Sequence, residues 1–116
     1  MALRIYTVII DAQDPKRLAE FWSQALGYRI AYEEGADVAI EKPNDDRVPA
    51  ILFQVVPERK VVKNRLHFDL APDDQKAEVE RLQKLGAKEV DIGQRDVTWV
   101  VMADPEGNEF CVLTAR

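Results

Sequence analysis

The feature that most constrains this chain is an internal repeat. Leu26-Gly27 and Leu85-Gly86 each end an apolar helical pattern, and their positions differ by 85 minus 26, or 59 residues. The same offset relates Asp14 to Asp73 at the beginnings of these patterns. A strand pattern precedes each helix and three follow it, so each half predicts a βαβββ unit. One such unit cannot bury both its helix and its sheet, and a second copy supplies the missing surface.

These patterns predict one α+β domain over residues 1–116, built from a module at 1–56 and a module at 65–116. The connector 57–64 is polar and contains Arg59, Lys60 and Lys63. It is interpreted as a solvated linker, whose cations could also meet an anionic substrate. Strands are expected at 3–11, 28–32, 38–42 and 51–56 in the first module, and at 65–71, 88–92, 97–103 and 108–115 in the second.

Local signals support the helices and a final hairpin. Asp14-Pro15 is typical of a helix N-cap followed by proline at the first helical position, and Phe21 and Trp22 are interpreted as core residues. In the segment WVVMADPEGNEFCVL, Asp104 can bond the backbone ahead of it and Gly107 can adopt a positive φ. This chemistry predicts a β-hairpin between two apolar runs.

Composition excludes several function classes. The formal net charge of -5 argues against a protein that tracks nucleic-acid phosphates, which normally has a basic face. A single cysteine cannot form an intramolecular disulfide, and no apolar run resembles a signal peptide or a membrane span. We therefore expect a cytoplasmic protein that binds neither nucleic acid nor a membrane.

Four side chains stand out as candidates for chemistry. His67 is the only histidine, lies on the strand face opposite Leu66 and Phe68, and could act as a general base or be a structural group. Cys111 is a nucleophile only if its pKa is lowered, and is otherwise a buried, inert side chain. Tyr6 and Trp99 could line a ligand pocket or fill it.

Three segments carry a family resemblance: DPKRLAEFWSQALGY at 14–28, VPERKVVKNRLHFDL at 56–70 and DPEGNEFCVL at 104–113. Together with the repeat, they resemble the vicinal oxygen chelate superfamily, which includes glyoxalases, bleomycin-resistance proteins and extradiol dioxygenases. The resemblance covers essentially the whole chain and is closest to small glyoxalase-like domain proteins. It implies that the two modules form a curved mixed sheet, a cup for a small molecule, and that the chain is a homodimer.

In relatives that use a metal, the resemblance implies ligands at four positions. In this chain they fall at Tyr6 or Thr7, at Gln54, at His67 and at Cys111. Histidine and thiolate suit zinc, whereas tyrosine, threonine and cysteine depart from the family's usual set. Asp69 and Glu109 offer alternative carboxylates or are solvated strand-end charges. With Tyr6 and Trp99, the expected ligand-pocket residues are Gln54, Asp69, Glu109 and Cys111. No cofactor is expected, and a divalent ion (Zn, Ni, Mn or Fe) held by His67, Gln54 and Cys111 is the alternative.

Three hypotheses for function therefore stay open. The first is a protein that binds a small organic molecule, either to sequester it or for metal-independent acid–base chemistry centred on His67. The second is a metal-dependent lyase, isomerase or dioxygenase of the glyoxalase I type. The third is a non-catalytic interaction scaffold, because a fold alone does not choose among activities.

Overall fold

The computed structural model describes residues 2–116, which fall into two compact units. The first unit ends at Arg59, and the second comprises Lys60–Arg116. Each unit has one helix and one four-stranded sheet. The predicted α+β class and the repeated βαβββ topology are confirmed.

The first unit contains β1 (Thr7–Ala12), α1 (Pro15–Leu26), β2 (Arg29–Glu34), β3 (Asp37–Glu41) and β4 (Ala50–Val55). Its strand order is β1-β4-β3-β2, with β1 parallel to β4 and the other pairs antiparallel. The second unit contains β5 (Asp69–Leu70), α2 (Gln75–Leu85), β6 (Lys88–Glu89), β7 (Val100–Ala103) and β8 (Glu109–Val112). Its order, β5-β8-β7-β6 with β5 parallel to β8, repeats that of the first unit.

Both helices begin at an aspartate N-cap and end before a glycine. Asp14 Oδ1 accepts the Arg17 N–H at 3.1 Å, and Asp74 Oδ1 accepts the Ala77 N–H at 3.0 Å. The cap of α2 is therefore Asp74, one residue after the position that the repeat predicts. This difference leaves α2 with 11 residues against 12 in α1. No helix within residues 2–116 is long and apolar enough to cross a membrane.

Each unit has an apolar core between its helix and its sheet. In the first unit Phe21 and Trp22 are each 1% exposed, with their rings edge to face at 5.1 Å, which confirms their predicted place in the core. The core of the first unit also includes Leu18, Ala19, Val38, Ile40, Ile51 and Phe53. The core of the second unit includes Val79, Leu82, Met102, Phe110 and Val112.

The predicted strands were too long at several places. Residues 3–6 precede β1 and are exposed, and β5 covers only Asp69–Leu70 of the predicted 65–71. Strands β6, β7 and β8 are shorter than predicted as well. An apolar run becomes a strand only where a neighbouring strand pairs with it, and β5 pairs with β8 through two residues alone. Leu66, on the strand face predicted to lie opposite His67, is 88% exposed.

Candidate functional site

The turn between β7 and β8 fixes the strand on which the candidate site is built. The Asp104 carbonyl accepts the Gly107 N–H at 2.8 Å, and the Asp104 N–H donates to the Asn108 carbonyl at 2.9 Å. Asp104 Oδ1 also accepts the N–H groups of Glu106 and Asn108, at 2.9 and 3.0 Å. Gly107 adopts a φ of 88°, as the sequence predicts for this turn. The start of β8 is thus rigidly held.

Strand pairing brings His67, Asp69 and Cys111 together in the second unit. Asp69 on β5 lies directly beside Cys111 on β8, and His67 precedes Asp69 by two residues. One potential ligand atom from each of these residues lies within 4.8 Å of the other two. We call these three residues the His67 cluster.

His67 and Asp69 form the exposed part of the cluster. His67 Nε2 lies 3.3 Å from Asp69 Oδ1, and their side chains are 41% and 55% exposed. The segment before β5 is not a regular strand, yet the spacing of two still brings both side chains together. A solute in the surrounding water can therefore reach the imidazole and the carboxylate.

Cys111 forms the buried part of the cluster and is 6% exposed. Burial raises the pKa of its thiol, the negative charge and hydrogen bond of Asp69 raise it further, and Lys63 opposes them only in part. A thiol that holds its proton is a poor nucleophile.

Glu109 engages the connector instead of the cluster. Its Oε2 accepts a bond from Lys60 Nζ at 2.8 Å, and its Oε1 accepts the Asn64 N–H at 3.0 Å. Burial by itself raises the pKa of Glu109, but the bonds from Lys60 and Asn64 outweigh burial and lower this pKa below its ordinary value. The Lys60 side chain is only 17% exposed. The prediction that Lys60 is a solvated linker cation was therefore wrong.

Two asparagines extend this contact to the turn, and sequence reasoning missed their role. Asn64 Nδ2 donates to Asn108 Oδ1 at 2.9 Å, and Asn108 Nδ2 donates to Asp104 Oδ2, also at 2.9 Å. Asn108 stands beside the turn motif, which was a usable signal. Asn64 is separated from Asn108 by 44 residues, and no local pattern identifies such a partner.

The remaining predicted site residues are Tyr6, Gln54 and Trp99. Tyr6 precedes β1, is 74% exposed, and has the Arg4 guanidinium 5.3 Å from the centre of its ring. Gln54 is exposed on β4 and pairs in register with Asp11 of β1. Both belong to the first unit. Trp99 belongs to the second unit, directly before β7, and is 41% exposed.

Solved structures of several different proteins are similar to this chain in fold. The fosfomycin resistance protein FosX of Mesorhizobium loti is 15% identical with a TM-score of 0.72, over 100% of this chain and 94% of its own. Leishmania major glyoxalase I is 15% identical with a TM-score of 0.67, over 97% of this chain and 87% of its own. A bleomycin-binding protein solved with bleomycin is 13% identical with a TM-score of 0.61, over 99% and 100%. Because the identities are only 13–15%, these likenesses show a shared fold.

The sequence itself identifies the family. The model of the glyoxalase-like domain family matches residues 7–113. This chain therefore belongs to the glyoxalase-like domain family. No curated protein matches it in sequence.

Proposed function

We propose that this protein binds a small organic molecule at the His67 cluster, with His67 as the group that accepts a hydrogen bond or a proton from it. The observation that carries this proposal is the 3.3 Å separation of His67 Nε2 from Asp69 Oδ1 at a face open to solvent. A neutral imidazole has one nitrogen that donates and one that accepts. Because Nε2 lies beside Asp69, we infer that Nδ1 is the atom that meets the ligand.

The other two members of the cluster support His67 in different ways. A carboxylate beside a histidine orients the ring, as it does for many general bases. The buried Cys111 lies beside Asp69 because the two residues pair in register on β8 and β5. The cluster therefore presents an oriented acceptor, suited to sequestration of a ligand and to abstraction of an acidic proton beside a carbonyl.

Proteins of similar fold support small-molecule binding as the general function. The bleomycin-binding protein was solved with its ligand, and FosX is a fosfomycin resistance protein. Identities of 13% and 15% make these likenesses of fold, so they do not identify this protein's ligand. We therefore define the ligand by chemistry, as a small molecule with a hydrogen-bond donor or an acidic C–H group that can reach His67.

A thermal-shift screen tests the proposal. Metal-stripped protein is screened against metabolites and antibiotics, and a ligand that binds the native state raises the melting temperature. We expect the rise to disappear in His67→Ala. It should shrink in Trp99→Ala, since Trp99 is half-exposed and lies two residues before Val101, the β7 partner of Cys111. Glu80→Gln, an exposed change on α2, should leave the rise unaltered.

The outcomes of this screen separate the hypotheses. Chromatography then shows whether the bound ligand is converted to a product. A rise in melting temperature without conversion indicates sequestration. A rise with conversion that depends on His67 indicates acid–base catalysis. A rise that His67→Ala leaves unchanged contradicts the proposed site. A broad library that causes no shift contradicts the binding function and favours the interaction scaffold.

A divalent metal site is the second candidate, and one observation favours it. An imidazole nitrogen, a carboxylate oxygen and a sulfur lie within 4.8 Å of one another. Zinc bonds of about 2.0–2.3 Å place neighbouring donors roughly 3.3–3.8 Å apart, so small side-chain movements would allow all three to bind one ion. The donor set fits zinc better than manganese because it includes a thiol. When bound, such an ion would polarise an oxygen of the substrate.

Metal analysis distinguishes this candidate from the first. We expect a site of this kind to bind cobalt(II) with a sulfur-to-cobalt charge-transfer absorption that Cys111→Ser abolishes. Zinc should also raise the melting temperature of the protein but not that of His67→Ala. Protein that shows neither the absorption nor the rise contradicts the metal site and leaves the first proposal standing.

A further inference from the structure

His67 lies in a short irregular segment between two points where the chain is attached. On its C-terminal side, the Cys111 N–H donates to the Phe68 carbonyl at 2.9 Å, just before β5 begins. On its N-terminal side, Asn64 is bound to the hairpin through its backbone N–H and its side-chain amide. The backbone of residues 61–67 is not part of any sheet. The orientation of His67 therefore depends on both attachments.

Glu109 is the centre of the N-terminal attachment. Each of its two carboxylate oxygens accepts one bond from the connector, from Lys60 Nζ at 2.8 Å and from the Asn64 N–H at 3.0 Å. The Lys60 and Glu109 side chains are only 17% and 13% exposed. Charge-assisted bonds shielded from water are stronger than exposed ion pairs, which contribute little.

The positions of these residues along the chain connect the attachment to the His67 cluster. Glu109 and Cys111 are two residues apart on β8, so they share one face of that strand. Asn64 is three residues before His67. Strand β8 therefore holds the chain on both sides of His67. Glu109 binds Asn64 before it, and Cys111 binds Phe68 after it. A shift at Glu109 would move the imidazole relative to Asp69.

We propose that Glu109 is a positioning residue, which orients His67 against Asp69 and Cys111 by holding the connector through Lys60 and Asn64. This role differs from those that the sequence suggests for Glu109, a pocket residue or an alternative metal ligand. Both carboxylate oxygens of Glu109 already accept hydrogen bonds from the connector. Its importance for ligand binding rests on the proposed function, whereas its effect on His67 does not.

The chain provides two natural reporters for this proposal, since it has one histidine and one cysteine. Nitrogen-15 NMR of labelled histidine reports the two ring nitrogens of His67, and alkylation by iodoacetamide reports access to Cys111. Both are measured at one pH without any ligand. A failed ligand screen therefore cannot be confused with failure of this proposal.

In Glu109→Gln we expect the His67 ring signals to shift and broaden, while the amide signals of β1–β4 stay in place. We expect the Cys111 alkylation rate to rise by about tenfold, the change that corresponds to loss of roughly one charged hydrogen bond. Lys60→Met removes only one of the two bonds and should give a smaller change of the same kind. Lys60→Arg keeps the positive charge and should give signals close to those of the wild type. Glu80→Gln should not alter the signals.

The contradicting result is a folded Glu109→Gln protein with wild-type His67 signals and a wild-type alkylation rate. If Glu109→Gln does not fold, Lys60→Met decides, because it leaves the Asn64 N–H bond to Glu109 intact. Unchanged reporters in Lys60→Met would then overturn the proposal. A loss of thermal stability with unchanged reporters would likewise show a purely structural role.

Discussion

The two units share one topology but attach their first strands differently. In the first unit β1 pairs with β4 over six residues, whereas in the second unit β5 pairs with β8 over two. The offset of 59 aligns Thr7 with Leu66 and Asp11 with Leu70, so the unpaired part of the second unit corresponds to regular strand in the first. The His67 cluster is located where the repeat departs from its own pattern.

This difference shows how a duplicated unit can gain a site without losing its fold. A strand within a ladder uses its N–H and C=O groups for pairing, and its side chains follow the sheet. In the second unit the side chains of Glu109 and Asn108 instead hold Asn64, two residues before the corresponding segment begins. The first unit therefore depends on backbone pairing, and the second depends on a few side chains that single substitutions can remove.

The largest expected effects test whether the two cores are equivalent. Phe53 in the first unit and Phe110 in the second are 0% and 1% exposed. Replacing either by alanine should lower the free energy of unfolding by about 3–5 kcal/mol, because each change leaves a buried cavity. Urea denaturation followed by circular dichroism measures this. An effect confined to one of the two positions would contradict the equivalence, and Ile9→Ala, at a side chain 55% exposed, is the control.

A smaller effect should distinguish the two kinds of attachment. Glu109→Gln removes the charge from a shielded pair and should cost about 1–3 kcal/mol of unfolding free energy. Asp37→Asn alters the comparable first-unit bond, in which Asp37 Oδ1 accepts the Val55 N–H at 2.8 Å at an exposed position. We expect the cost of this change to be under about 1 kcal/mol, since the ladder of β1 and β4 remains. Equal losses of unfolding free energy in Glu109→Gln and Asp37→Asn would contradict the proposed difference in how the two units attach their first strands.

The Glu109 contribution should also depend on pH. Because the pKa of Glu109 is lowered in the folded state, its stabilising effect is fully present above the ordinary glutamate value of 4.5. It is lost as the pH falls through the lowered value. The difference in unfolding free energy between wild type and Glu109→Gln should therefore be constant near neutral pH and shrink in acid. A difference that grows in acid would contradict the assignment.

The smallest effects sharpen the comparison of the helices. Asp14→Ala and Asp74→Ala should each cost about 1 kcal/mol through loss of an N-cap bond. Asp73→Ala should change the unfolding free energy by less than about 0.5 kcal/mol, because Asp74 and not Asp73 caps α2. Thermal denaturation of the three variants measures this. A larger effect at Asp73 than at Asp74 would indicate that Asp73 caps α2, as the offset of 59 from Asp14 predicts.

Much of the fold could be predicted because its signals are local. Asp14 and Gly27 mark the ends of α1, and Asp104 and Gly107 specify the turn, through the backbone conformations that these residue types adopt. Strand lengths were predicted less well. They depend on which distant backbone pairs with which, and an apolar run such as 65–71 does not contain that information.

The candidate site was predictable in part for the same reason. The spacing of two between His67 and Asp69 indicates a common face, and the repeat makes β5 and β8 neighbours, which brings in Cys111. The bond from Lys60 to Glu109 spans 49 residues and depends on how the connector folds back. No periodicity encodes such a partner.

The most direct test of the account observes His67 while a ligand binds. Histidine-labelled, metal-stripped protein is titrated with a compound that raises its melting temperature, and the two ring nitrogens are followed by NMR. We expect the Nδ1 signal to shift and to saturate with the same dissociation constant as a calorimetric titration. A compound that binds and stabilises the protein while both ring signals remain unchanged would contradict it.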